Sequence, residues 1–139
     1  MIINVKRIDD AFKMEATNET GETLLMDGSK SLGASESAFR PMQMLLTSLG
    51  GCSAIDVINV LTRGRQRIDS FEMKLSGDRT GGTPSPFTAM NVHFILKGKI
   101  KEEKLIKAIE LAETKYCSVY FSLNPEIDIR YSYDLESVE

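Results

Sequence analysis

The chain has 139 residues, 42% of them hydrophobic and 27% charged, with a formal net charge of -3. That length suits one domain with a real core, residues 1–139, and the composition is ordinary for a globular protein. No lysine or arginine block stands out, the opening MIINVKRIDD lacks an apolar signal core, and no apolar run approaches the roughly 18 residues of a membrane span. Nucleic-acid and membrane-surface roles therefore have little support, and a cytoplasmic protein is expected.

In chain order, INVKRI, FKMEAT and TLLMD are short strand-like pieces. Asp9-Asp10 and the turn-prone NETGE separate them, which predicts an antiparallel meander. Residues 27–40, DGSKSLGASESAFR, form a long polar loop of the kind that often carries function. Pro41 suits the first turn of a helix and Gly64 its end. Between them, Met44, Leu45, Leu46, Leu49, Ile55, Val57, Ile58, Val60 and Leu61 cover more than one face, so this helix is expected to be central and covered on most sides.

FEMKLSGDR and MNVHFILK then alternate as strands, and a helix over about Lys101 to Tyr116 carries the apolar stripe Leu105, Ile109, Ala112 and Tyr116. The short apolar piece SVYFSL follows, and EIDIRYSYD closes the chain as a strand. Strands cluster instead of alternating with helices, which indicates an α+β domain and not a doubly wound sheet.

The residues that bear chemistry are few. Cys52 and Cys117 are the only cysteines, too few for a disulfide scaffold, and a reducing compartment keeps them free at rest. They share no zinc-ligand spacing with the single histidine, His93, which strand periodicity puts at the surface. No metal is expected on that ground, and no cofactor, since nothing resembles a phosphate-cradling glycine loop.

Gly50 and Gly51 precede Cys52 inside the first helix, where each glycine costs roughly 1 kcal/mol relative to alanine. Either they let another backbone or a ligand come close beside the thiol, or they serve helix packing with Cys52 as a small buried hydrophobe. Ser48 and Asp56 share its face, one turn to either side. A carboxylate opposes thiolate formation, so Asp56 is read as orienting a cation or as a partner in helix packing.

Cys52 lies too far along its helix to feel the positive N-terminal end, so a cation must activate it. Arg40 is roughly 18 Å away along the axis and reaches only a Cys52 in another subunit. Cys117, in KYCSVYF, is placed to cap the short helix after it, which would lower its pKa. Local electrostatics alone thus names Cys117 the more reactive thiol; the alternative is an edge cysteine without a role.

Two segments carry a family resemblance. RPMQMLLTSLGGCSAIDVINVLTRGRQ resembles the central helix, with its first cysteine, of the OsmC/Ohr family of organic hydroperoxide reductases, and AIELAETKYCSV resembles that family's second helix ending in the second cysteine. The chain resembles in particular the YhfA-like branch of that family. This resemblance implies an intertwined homodimer, two sheets wrapped around two central helices, with active sites at the subunit interface. It implies that Cys52 attacks an organic hydroperoxide, that Cys117 captures the sulfenic acid as a disulfide, and that a dithiol of the lipoyl type restores both thiols.

The resemblance also implies a glutamate after the helix-opening proline, paired with an arginine that holds the thiolate. Gln43 stands at that place here and is expected to act as a neutral orienting partner for the arginine, for which Arg7 and Arg40 are both candidates. Two other functions fit such a chain: a non-catalytic dimer that binds a small apolar ligand, and a slow redox sensor.

Overall fold

In the computed structural model, which describes residues 1–138, the stretch Met1–Leu45 forms one unit and the chain from Leu46 onward a second. The first opens with the antiparallel meander expected from its turn residues: β1 (Asn4–Arg7), β2 (Met14–Thr17) and β3 (Thr23–Met26), in that order across the sheet. Asn18 makes the second turn, its Oδ1 accepting from the backbone N–H groups of Thr20 and Glu22.

The polar loop that follows is ordered around one carboxylate. Buried Asp27 accepts hydrogen bonds from the Ser37 and Gly28 backbone N–H groups and from the Ser35 and Ser37 hydroxyls. These donors, the Ser37 N–H above all, hold its carboxyl down at about 2.

Helix α1 (Pro41–Arg63) starts at the proline, and the Gly64 N–H just past its end donates to the Val60 carbonyl. Its fully buried residues Leu49, Ser53, Val57 and Leu61 recur every four positions and make a single stripe, joined by Gly50. Ile55 is 70% exposed and Ile58 38%. The helix is thus covered along one face, not on most sides, because one chain supplies packing partners for one stripe only.

Among the described residues α1 is also long and apolar enough, by length and composition, to cross a bilayer, contrary to the expectation from sequence. Its buried stripe, which carries Gly50 and the hydroxyl of Ser53, marks it as a helix packed on protein.

The second unit contains β4 (Arg67–Arg79), β5 (Phe87–Lys99), α2 (Glu102–Leu111), α3 (Ser118–Ser122) and β6 (Asp128–Ser137). Strict alternation puts Met90, Val92, Phe94 and Leu96 of β5 into the core, and β5 is the middle strand of the sheet β4-β5-β6.

β4 and β5 pair antiparallel, but β6 runs parallel to β5, so this sheet is mixed where antiparallel sheets were expected. The connection explains it: residues 100–127 cross over through two helices and deliver β6 in the same direction as β5. The second predicted helix is likewise shorter than expected. α2 stops at Leu111 and the chain continues as a π-helical turn, Ala112–Tyr116, which leads directly into Cys117.

Candidate functional site

The buried stripe of α1 presents Ser53 inward, and its neighbours Cys52 and Asp56 lie half-buried one helical turn apart. Cys117 approaches from the other side. The wide π turn ends in it, its N–H donating to the Ala112 carbonyl, and it takes up an extended conformation as the N-cap of α3. Its Sγ accepts from the Tyr120 backbone N–H at 3.4 Å and from the Ser53 hydroxyl at 3.8 Å. Both cysteines are free, and the two sulfurs and one Asp56 carboxylate oxygen all lie within 4.8 Å of one another.

The capping role expected of Cys117 is therefore real, but its expected consequence is not. The side chain is fully buried, and burial pushes the thiol up from its ordinary value, with adjacent Cys52 adding to the rise. The Tyr120 N–H and the Ser53 hydroxyl pull it down, and they do not win. A five-residue helix offers little dipole against that desolvation. Cys117 is accordingly not the thiol primed by its surroundings.

Asp56 carries the same imprint of burial, which pushes its carboxyl up. Its Oδ2 is buried and has no hydrogen-bond partner among the described residues, so on that oxygen it neither orients a cation nor braces the helix packing. The Tyr131 hydroxyl is likewise buried without a partner, and desolvation pushes it well up. Tyr131 stacks on Phe94, 6.4 Å between ring centroids, and tilts against Tyr120. Ser53, Tyr120 and Tyr131 surround Cys117 yet went unseen in the sequence. The one local sign was a serine in mid-helix, where it is a mediocre helix former.

The two glycines before Cys52 have separate explanations. A side chain at Gly50 would strike Leu75 of β4, so this glycine admits the close packing of the sheet. Gly51 faces open space. Close approach is thus realised at Gly50 by the half-buried Leu75, while the surface at Gly51, next to Cys52, stays uncovered.

Arg40 and Gln43 belong to the first unit, away from the cysteines in sequence. The Gln43 Oε1 accepts from the Arg40 backbone N–H at 3.1 Å, the reciprocal half of a capping box at the start of α1. The Arg40 guanidinium donates to the Ala38 carbonyl at 3.0 Å, and Arg7 Nε to the Ala11 carbonyl at 2.8 Å. His93 sits on the outward side of β5, as expected, and bridges to Ser132 and Asp134 of β6.

Comparison with known proteins agrees with this architecture. Residues 33–132 match the family model described as OsmC-like protein. The chain is 39% identical over 117 residues, 84% of each chain, to Protein YhfA of Escherichia coli strain K12. A hypothetical protein from Aquifex aeolicus VF5 superimposes with a TM-score of 0.86 at 24% identity, over 99% of this chain and 97% of that one. An organic hydroperoxide resistance protein OsmC from Legionella pneumophila gives 0.69 at 15% identity, over 99% and 96%. The mixed α+β architecture with two sheets thus coincides with the matches to sequence and fold, and the chain belongs to the OsmC-like protein family.

Proposed function

We propose that this protein is a thiol peroxidase that reduces organic hydroperoxides through a Cys52/Cys117 dithiol–disulfide cycle. One observation carries the reading: two cysteines distant in sequence hold their sulfurs within 4.8 Å as free thiols. Cys52 is the half-buried one, next to the open surface at Gly51, and Cys117 is fully buried behind it. That arrangement suits an attacking and a resolving thiol. The fold likeness to the Legionella protein points the same way.

The Cys52 thiolate attacks the outer peroxide oxygen, the O–O bond breaks, and the alkoxide leaves as an alcohol once protonated. The Cys52 sulfenic acid is then attacked by Cys117, whose proton accompanies the departing hydroxide as water while the S–S bond forms. An external dithiol, of the lipoyl type, takes up the oxidising equivalents and restores both thiols.

A homodimer belongs to the same proposal. Ile55 and Ile58 leave apolar surface on α1, and a second copy would cover it. The activating cation is Arg40 or Arg7, with Gln43 as its neutral partner, reaching Cys52 of the partner subunit. A reducing cytoplasm suits the cycle.

The test is stoichiometric cumene hydroperoxide followed by mass spectrometry. Loss of both thiols to one intramolecular disulfide supports the proposal, as does a Cys117→Ser variant that stops at a sulfenic acid on Cys52. If neither thiol reacts faster than free cysteine, the protein is not a peroxidase. Light scattering that gives the 15.5 kDa chain mass and not its double would remove the shared site.

A further inference from the structure

We propose that Cys52, Asp56 and Cys117 form a binding site for a thiophilic divalent cation of the Zn²⁺ type, which locks the two thiols while it is bound. No Cys/His ligand spacing announces such a site, because its third donor is a carboxylate and its second cysteine comes from another element. The geometry supplies it. Two sulfurs and a carboxylate oxygen lie within 4.8 Å of one another, half-buried to fully buried.

With Zn–S near 2.3 Å and Zn–O near 2.1 Å, a tetrahedral ion needs its donors roughly 3.5–3.8 Å apart. The set therefore closes on a metal by a contraction of at most about 1.0–1.3 Å in any pair from its 4.8 Å limit.

A second observation points to a ligand. Asp56 Oδ2 is buried and has no partner among the described residues, which is costly for a carboxylate and is relieved by a cation. The surroundings of Cys117 also suit a metal thiolate. The Tyr120 N–H and the Ser53 hydroxyl both donate to its sulfur, as outer-shell donors do around bound zinc. Three protein donors leave the fourth position to water.

Binding is not a redox step. Each thiol gives its proton to solvent and forms one metal–sulfur bond, and Asp56 gives up any proton it holds, so affinity rises with pH. Metal and peroxide then compete for the same sulfurs. The site does not rest on the peroxidase reading, since it requires only the three donors.

The test uses the reduced full chain with Zn²⁺ and Cd²⁺ as probes. Calorimetry should find one ion per chain. Cadmium should produce ultraviolet thiolate charge-transfer absorption, and its NMR resonance should report mixed sulfur and oxygen ligation. Cys52→Ser or Cys117→Ser should abolish that absorption or halve it with a large loss of affinity. Asp56→Asn should weaken binding by at least the roughly 10–100-fold that outer-shell changes alone produce.

Bound Zn²⁺ should also shield both thiols from iodoacetamide in the wild type, a readout independent of peroxide turnover. No charge-transfer band, an all-sulfur or all-oxygen cadmium resonance in the wild type, or an unchanged affinity in Asp56→Asn overturns the proposal. Metal binding by a chain without peroxidase activity would leave this site standing and remove the other reading.

Discussion

The Ser53 hydroxyl donates to the Cys117 sulfur across 3.8 Å, joining α1 to the cap of α3 between two fully buried side chains. This contact is one of two that pull the Cys117 thiol down against desolvation. Ser53→Ala should therefore move the Cys117 titration further up, followed by thiolate absorbance in a Cys52→Ser background. A stability loss of about 0.5–1.5 kcal/mol should accompany it in denaturant unfolding. An unmoved titration would show that this hydrogen bond does not act on the thiol.

Burial holds the proton on Cys117 more tightly in the folded chain than in the unfolded one. The stability so contributed is whole below the ordinary thiol value of 9.0 and is lost as pH rises through the raised folded value. Thermal melts should show this as an alkaline decline that is smaller in Cys117→Ala than in the wild type. Equal declines in the two proteins would mean that Cys117 is not the group responsible.

Gly50 and Gly51 should part ways when each is replaced by alanine. Gly50→Ala drives a methyl into Leu75, and overpacking of this kind costs about 1–3 kcal/mol, against roughly 1 kcal/mol gained in helix propensity. Gly51→Ala meets nothing in the chain and should stabilise the monomeric fold by up to about 1 kcal/mol. Chemical denaturation of both variants decides the matter. A Gly50→Ala protein as stable as Gly51→Ala would show that Leu75 yields freely. Peroxide turnover lost in a well-folded Gly51→Ala would mark the open surface beside Cys52 as the approach to the thiol.

Gln43→Glu keeps an acceptor for the Arg40 N–H and places a negative charge in the first turn of α1. The helix dipole should reward it with about 0.3–1 kcal/mol of stability. On the proposed reading, in which an arginine activates Cys52, peroxide turnover should rise or stay unchanged, because glutamate would offer that arginine charge as well. A marked fall in turnover with stability intact would assign Gln43 a different task.

The short strands, the helix opened by Pro41, the buried Leu105, Ile109 and Ala112 and the alternation along β5 were legible in the sequence, whereas Tyr116, read into the same stripe, is exposed because the π turn rotates it away from the core. So were the cysteines, through the segments around them. All of these depend on side-chain periods of two or about 3.6 residues, on turn chemistry, or on local motifs, and such properties are set by neighbours in the chain.

Other features were decided by tertiary packing alone. The parallel pairing of β6 follows from the path of a long crossover. One-sided cover of α1 depends on which elements pack against it. The raised Cys117 pKa reverses what its cap position implied, because desolvation is a sum over every residue that buries the thiol. The meeting of Cys52, Asp56 and Cys117 required α1 and a π turn far away in the chain to be placed side by side. Long-range contacts of this kind leave no period or spacing in the sequence, since each depends on the folded backbone and not on the residues between.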